Sequence, residues 1–113
     1  LQREIGMTTT LADDPVLARF RKALDEMYGN QIERVVLFGS RARGDARPDS
    51  DYDVAVFLTV PGELWDDLGN LSHITTAILN DTGAVISAKP FPAGAYRERS
   101  PLMQEIRADG LDL

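Results

Sequence analysis

The chain has 113 residues, with 12 Lys and Arg against 18 Asp and Glu and a formal net charge of −6. That length supports one domain with one modest core and leaves no room for separate catalytic and substrate domains. It contains no cysteine, which excludes disulfides and thiolate metal sites. No apolar run approaches the ~20 residues of a membrane span, so no membrane partner is expected and the expected location is the cytoplasm. The acidic balance argues against direct nucleic-acid binding, which depends on Lys and Arg neutralising phosphates. The first ten residues, LQREIGMTTT, lack the apolar centre of a signal peptide. Residues 1–13 read as an extension, with those before Met7 tag-derived or upstream sequence, and residues 14–113 as a single domain.

Asp14-Pro15 reads as a helix start, with Asp as N-cap and Pro in the first turn. Leu17, Phe20, Leu24, Met27 and Tyr28 follow at helical spacing, and Gly29 is a C-terminal stop. Residues 34–38, RVVLF, are β-branched and aromatic and read as a buried strand ending at Gly39-Ser40. Residues 41–50, RARGDARPDS, begin as a short helix and continue as loop. Residues 52–58 read as a second strand, closed by Pro61-Gly62. Leu64, Leu68, Leu71, Thr75 and Ile78 form a helical stripe over 63–80, with Trp65 and Leu79 at its margins, all assigned to the core; His73 is assigned to the surface. Residues 84–88 read as a third strand and 89–99 as a loop. Ser100-Pro101 repeats the cap-plus-proline start for a short helix running to Gly110. The apolar tail Leu111–Leu113 either docks on its own domain or serves an interface, so a homo-oligomer is open. The alternation implies an α/β (α+β) fold with a small mixed sheet covered mainly on one face by helices.

The chemistry lies between the first two strands. A Gly-Ser turn at a strand end lets backbone N–H groups and a hydroxyl approach phosphate oxygens, although alone it is simply a tight turn. Asp51 and Asp53, two apart on a strand, present their carboxylates to one face. Such a pair suits Mg²⁺ (or Mn²⁺), which takes one or two carboxylates together with substrate phosphates and water. On its own it is also a pair of solvated acids. Together, with Arg41 and Arg43 between them as cationic donors, the two motifs supply what nucleotidyl transfer needs: positioning, a metal and positive charge. Arg41, directly after the serine, is the better phosphate candidate; Arg47 stays undecided. Tyr52, between the aspartates, is expected to face away from the metal.

GSRARGDARPDSDYD resembles the signature of the DNA polymerase β-type nucleotidyltransferase superfamily: Gly-Ser, ten residues, then Asp-x-Asp. The short chain and its closing SPLMQEIRADGLDL resemble the minimal MNT-type proteins, antitoxins of MNT–HEPN toxin–antitoxin pairs. The resemblance implies the nucleotidyltransferase fold. It implies triphosphate binding at Gly39 and Ser40 and Mg²⁺ ligation by Asp51 and Asp53. It further implies AMP transfer from ATP to a hydroxyl, a tyrosine of a HEPN ribonuclease toxin. One departure stands out: family members usually carry a third carboxylate on the third strand, and residues 84–90 here, AVISAKP, contain no acid. Ser87 is expected in its place, and a hydroxyl is no ionised base at neutral pH. An antitoxin acting by contact alone is therefore the alternative function, and a small-molecule nucleotidyltransferase ranks below both because the chain is too short to build an acceptor pocket.

Overall fold

The computed structural model describes residues 14–113; the extension assigned to residues 1–13 lies outside them. Helix α1 spans Pro15–Tyr28. The Asp14 carboxylate accepts the Val16 and Leu17 N–H groups at 2.9 and 3.3 Å, satisfying donors that a helix start leaves open. Gly29, at φ +58°, ends the helix in a conformation that disfavours a side chain. Strand β1 runs Ile32–Phe38, two residues longer at its start than expected. It is followed by the one-turn helix α2, Ser40–Arg43, and by strand β2, Tyr52–Leu58. Helix α3, Leu64–Thr82, leads to strand β3, Ile86–Pro92. A 3₁₀ turn at Ala93–Arg97, helix α4 at Pro101–Asp109 and the two-residue strand β4, Leu111–Asp112, complete the chain.

The four strands lie in the order β3-β2-β1-β4. β1 is antiparallel to β2 and to β4, while β2 and β3 are parallel, joined through α3 as parallel neighbours require. Both faces are covered, one more fully than the other. Helices α1 and α3 close the larger core over Val35, Leu37, Val54, Val56, Leu58 and Ile86. Helix α4 and the 3₁₀ turn close the smaller one over Val36, Phe38, Ala55 and Phe57. Burial on both faces explains why β2 reads as an unbroken apolar run rather than an alternation.

Two expectations are corrected. Trp65 is 81% exposed, not core. The buried positions of α3 are Asp67, Leu71, Ile74 and Ile78; at ~100° per residue Trp65 falls on the opposite side of the helix from their mean direction. Leu64 and Leu79 are also exposed. The third strand is not 84–88 followed by a loop; it continues through Pro90 and Pro92. β3 is a sheet edge, and an edge strand tolerates proline because an N–H facing its open side has no ladder partner to lose. The C-terminal tail, left open between two roles, docks on its own sheet: Leu37 pairs with Leu111, Val36 with Asp112, and the Leu113 N–H donates to the Val35 carbonyl at 2.9 Å.

Buried Asp67 is fully partnered. It accepts the Tyr28 hydroxyl at 2.8 Å and the Gly62 N–H at 3.1 Å, tying the end of α1 to the start of α3. In the smaller core Phe57, fully buried, packs against Phe91 at 5.5 Å and edge-on to Tyr96 at 5.4 Å. Phe57→Ala should cost about 3–5 kcal/mol, as large-to-small core changes of this kind do. Urea unfolding reads this directly, and a loss below about 1 kcal/mol would mean that α4 and the 3₁₀ turn contribute little to holding the second face.

Candidate active site

The site is built where β1 ends beside the start of β2. Phe38 pairs with Asp53 across the ladder, so the next residue, Gly39, lies against the Asp53 side chain. Gly39 has φ +75°, and a Cβ there would fall on the Asp53 carboxylate oxygen. Glycine is required twice over, by backbone conformation and by contact. As N-cap of α2 it brings no side chain to bond the first turn, so the leading N–H groups of that turn stay open to a ligand. Asp51 and Asp53 alternate with Tyr52, which belongs to the opposite core. The Tyr52 hydroxyl donates to Asp14 at 2.8 Å, so its side chain faces away from the aspartates as expected.

The two arginines have occupations of their own. Arg41 donates from Nε to the Ser50 carbonyl at 2.9 Å and from Nη2 to the Pro48 carbonyl at 3.1 Å. Its guanidinium lies 3.9 Å from the Tyr52 ring centroid, within cation–π range. Arg41 thus clamps the 47–50 loop, on the Tyr52 face of the sheet rather than the Asp53 face. Arg43 reaches Asp45 at 3.3 Å and Asp109 of α4 at 3.6 Å, and its charge acts on Asp53. Of the cations named from the sequence, Arg43 is the one whose charge acts on Asp53.

A family model for the nucleotidyltransferase domain matches residues 17–92. The chain belongs to this family. A Methanocaldococcus jannaschii protein named as a candidate protein adenylyltransferase, MJ0604, is 32% identical over 76 residues, which span 67% of this chain and 70% of that one. A solved structure described as a candidate minimal nucleotidyltransferase superposes with a TM-score of 0.56 at 26% identity, over 85% of this chain and 90% of its own. A crystal structure of a toxin–antitoxin with AMP-PNP superposes at 0.55 and 18% identity, over 84% and 69% of the two chains; that likeness is one of fold.

In this nucleotidyltransferase domain the acid at the centre is Asp53. Burial, then the neighbouring Asp51 charge, push its carboxyl above the ordinary range; Lys89 and Arg43 oppose that shift and Glu105 adds to it. A carboxylate held close to a second acid and partly cut off from water is stabilised by a cation. The donor set therefore fits a hard divalent ion that takes two protein carboxylates and completes its shell from phosphate and water. Among the described residues no cluster of three or more His, Cys, Asp or Glu side chains is arranged to hold a metal.

On the far side of Asp53, β3 places Ser87 as its register partner and Lys89 beside Ala55. Strand parity puts both on the Asp53 face, since Ile86 and Ala88 pack into the opposite core. Ser87 is thus the β3 residue in register with Asp53. Lys89 and Glu105 were not among the residues singled out from the sequence. The period-2 spacing from Ser87 to Lys89 carries the signal for the lysine, but it shows only once β3 is known to continue past Ala88. Glu105 lies one helical turn before Asp109, the Arg43 partner, and so on the side of α4 that faces the aspartates.

Proposed function

We propose that this domain transfers AMP from ATP to a protein hydroxyl, a tyrosine of a HEPN-type ribonuclease toxin, and so acts as an antitoxin. The single observation that carries this reading is the close seating of Gly39 on Asp53, which sets an open, side-chain-free turn against the acid pair with no room for anything larger than hydrogen. Gly39 and Ser40 hold the β- and γ-phosphates, and Asp51 and Asp53 hold Mg²⁺ or Mn²⁺. The metal, when bound, supplies positive charge that offsets the charge developing on the transferred phosphoryl group. The acceptor oxygen forms a bond to the α-phosphorus as the bond from that phosphorus to the bridging oxygen of the β-phosphate breaks. Pyrophosphate leaves with the electron pair, and the hydroxyl proton passes to water at the open mouth of the site. The kinship with a candidate protein adenylyltransferase supports a protein acceptor, and the toxin–antitoxin fold neighbour supports the antitoxin role.

Ser87 beside Asp53 favours a second reading, in which the site binds nucleotide and the antitoxin neutralises its partner by contact alone. One experiment separates the two. The wild-type chain and an Asp51→Asn, Asp53→Asn double variant are each incubated with ATP labelled at the α-phosphate, Mg²⁺ or Mn²⁺, and the protein encoded by the neighbouring gene. Label on the partner with wild type alone supports transfer. Full neutralisation by the double variant, with no label in any lane, supports contact and rejects the enzyme.

A further inference from the structure

We infer that Lys89 is a catalytic cation of the transfer reaction, contacting the α-phosphoryl group from the third strand, in the region where family members usually place an acid. The inference rests on the nucleotidyltransferase reading above and adds a residue to it. The order of strands across the sheet carries the argument. The Gly39 tip ends β1, Asp53 opens β2, and Ser87 and Lys89 lie on β3, on the opposite side of β2 from that tip. A triphosphate whose β and γ groups rest on the tip therefore extends its α-phosphorus across the aspartates toward β3. Parallel register puts Lys89 beside Ala55, one pleat along the strand from Asp53 and on its face. Neighbouring strands lie ~4.8 Å apart, and a lysine stem spans that gap.

The charges around Asp53 distinguish Lys89 further. Asp51 and Glu105 are negative there, Lys89 and Arg43 positive. Arg43 is committed to Asp45 and Asp109. Among the described residues Lys89 makes no ion pair within 4 Å, and its side chain is exposed on the open surface of the site. An ammonium on the Asp53 face with no ion pair among the described residues has a phosphate oxygen as its natural partner, since a charge-assisted N–H···O⁻ bond is strong and needs no further group to complete it. In the transfer step the Lys89 ammonium donates to a non-bridging oxygen of the α-phosphoryl group while the acceptor oxygen adds and pyrophosphate departs. It gives up no proton.

The test reads binding, so it does not depend on the acceptor. Wild type, Lys89→Met and Lys89→Arg are titrated by calorimetry with Mg²⁺ and α,β-methylene-ATP, and separately with Mg²⁺ and inorganic pyrophosphate. Thermal midpoints establish that all three variants are folded. Lys89→Met should weaken the nucleotide analogue about tenfold, the scale of one charged hydrogen bond, and leave pyrophosphate within about twofold. Lys89→Arg should keep most of the analogue's affinity, because it retains the donor and the charge. Unchanged analogue binding by Lys89→Met, or an equal loss for both ligands, overturns the assignment of Lys89 and leaves the nucleotidyltransferase reading standing. A wild-type chain that binds neither ligand overturns both.

Discussion

Asp53→Asn is expected to raise the thermal midpoint of the metal-free protein at pH 7.5 while lowering AMP transfer by about 10³-fold. Both effects follow from one placement. The Asp53 carboxyl is held above its ordinary range by burial first and by Asp51 second. The folded chain therefore holds the Asp53 proton more tightly than the unfolded chain does. Stability then falls as pH rises from the unfolded value through the folded one, because in that window the folded state binds more protons. The destabilisation is absent below the window and complete above it. Asparagine keeps the shape beside Gly39 and removes the charge, so the gain in midpoint should be full at pH 7.5 and should vanish in strong acid. Mg²⁺ should raise the wild-type midpoint and leave the variant unmoved. The catalytic loss reflects several kcal/mol of charge stabilisation supplied through the metal, at 1.36 kcal/mol per tenfold in rate. A variant no more stable than wild type at pH 7.5 would show that the carboxylate is relieved in the metal-free fold by some other group.

Gly39→Ala should be as damaging to the site, by a different route. The φ of +75° strains any L-residue, and the new methyl falls on the Asp53 carboxylate, so either the β1 tip or the aspartate must move. The stability cost is about 1–3 kcal/mol, and nucleotide binding should fall below detection because tip and acid can no longer meet. Gly44→Ala supplies the control. Gly44 has φ +85° and ψ +11°, the left-handed helical region, with nothing within 4 Å of the added carbon, so it carries milder backbone strain and no clash. It should lose stability and retain nucleotide affinity. If the two variants bind nucleotide equally well, the contact between Gly39 and Asp53 has no bearing on the site.

Where elements are encoded by neighbours in the chain, reading the sequence succeeded. Asp14-Pro15 and Ser100-Pro101 start helices as local capping chemistry requires, and the Ser100 hydroxyl accepts the Met103 N–H at 3.2 Å. Residues 52–58 form the expected strand, and the Gly-Ser and Asp-x-Asp motifs do end one strand and open the next. That spacing was enough to anticipate the nucleotidyltransferase fold.

What failed depended on partners distant in sequence. Pro90 and Pro92 read as loop because a central strand cannot hold them, and only the sheet order reveals that β3 is an edge. A third strand ending at Ala88 leaves Lys89 in the following loop, where strand parity gives it no face. Arg41, the phosphate candidate from its position after Ser40, also has its guanidinium bound by carbonyls nine and seven residues on and by the face of Tyr52, contacts that its place in the chain does not reveal. Trp65 reads as core from its place at the margin of the helical stripe, although the buried side of α3 is fixed by what α3 packs against.

The sequence by itself determined the motif for which phosphate and metal binding is proposed, because Gly39-Ser40 and Asp51-x-Asp53 lie within fifteen residues, at a strand end and a strand start. Tertiary structure alone decided what else surrounds that motif: Ser87 and Lys89 from β3 and Glu105 from α4. Those neighbours are set by parallel register between β2 and β3 and by the docking of α4 on the sheet. Both are long-range pairings that bury apolar surface, and no local spacing encodes them.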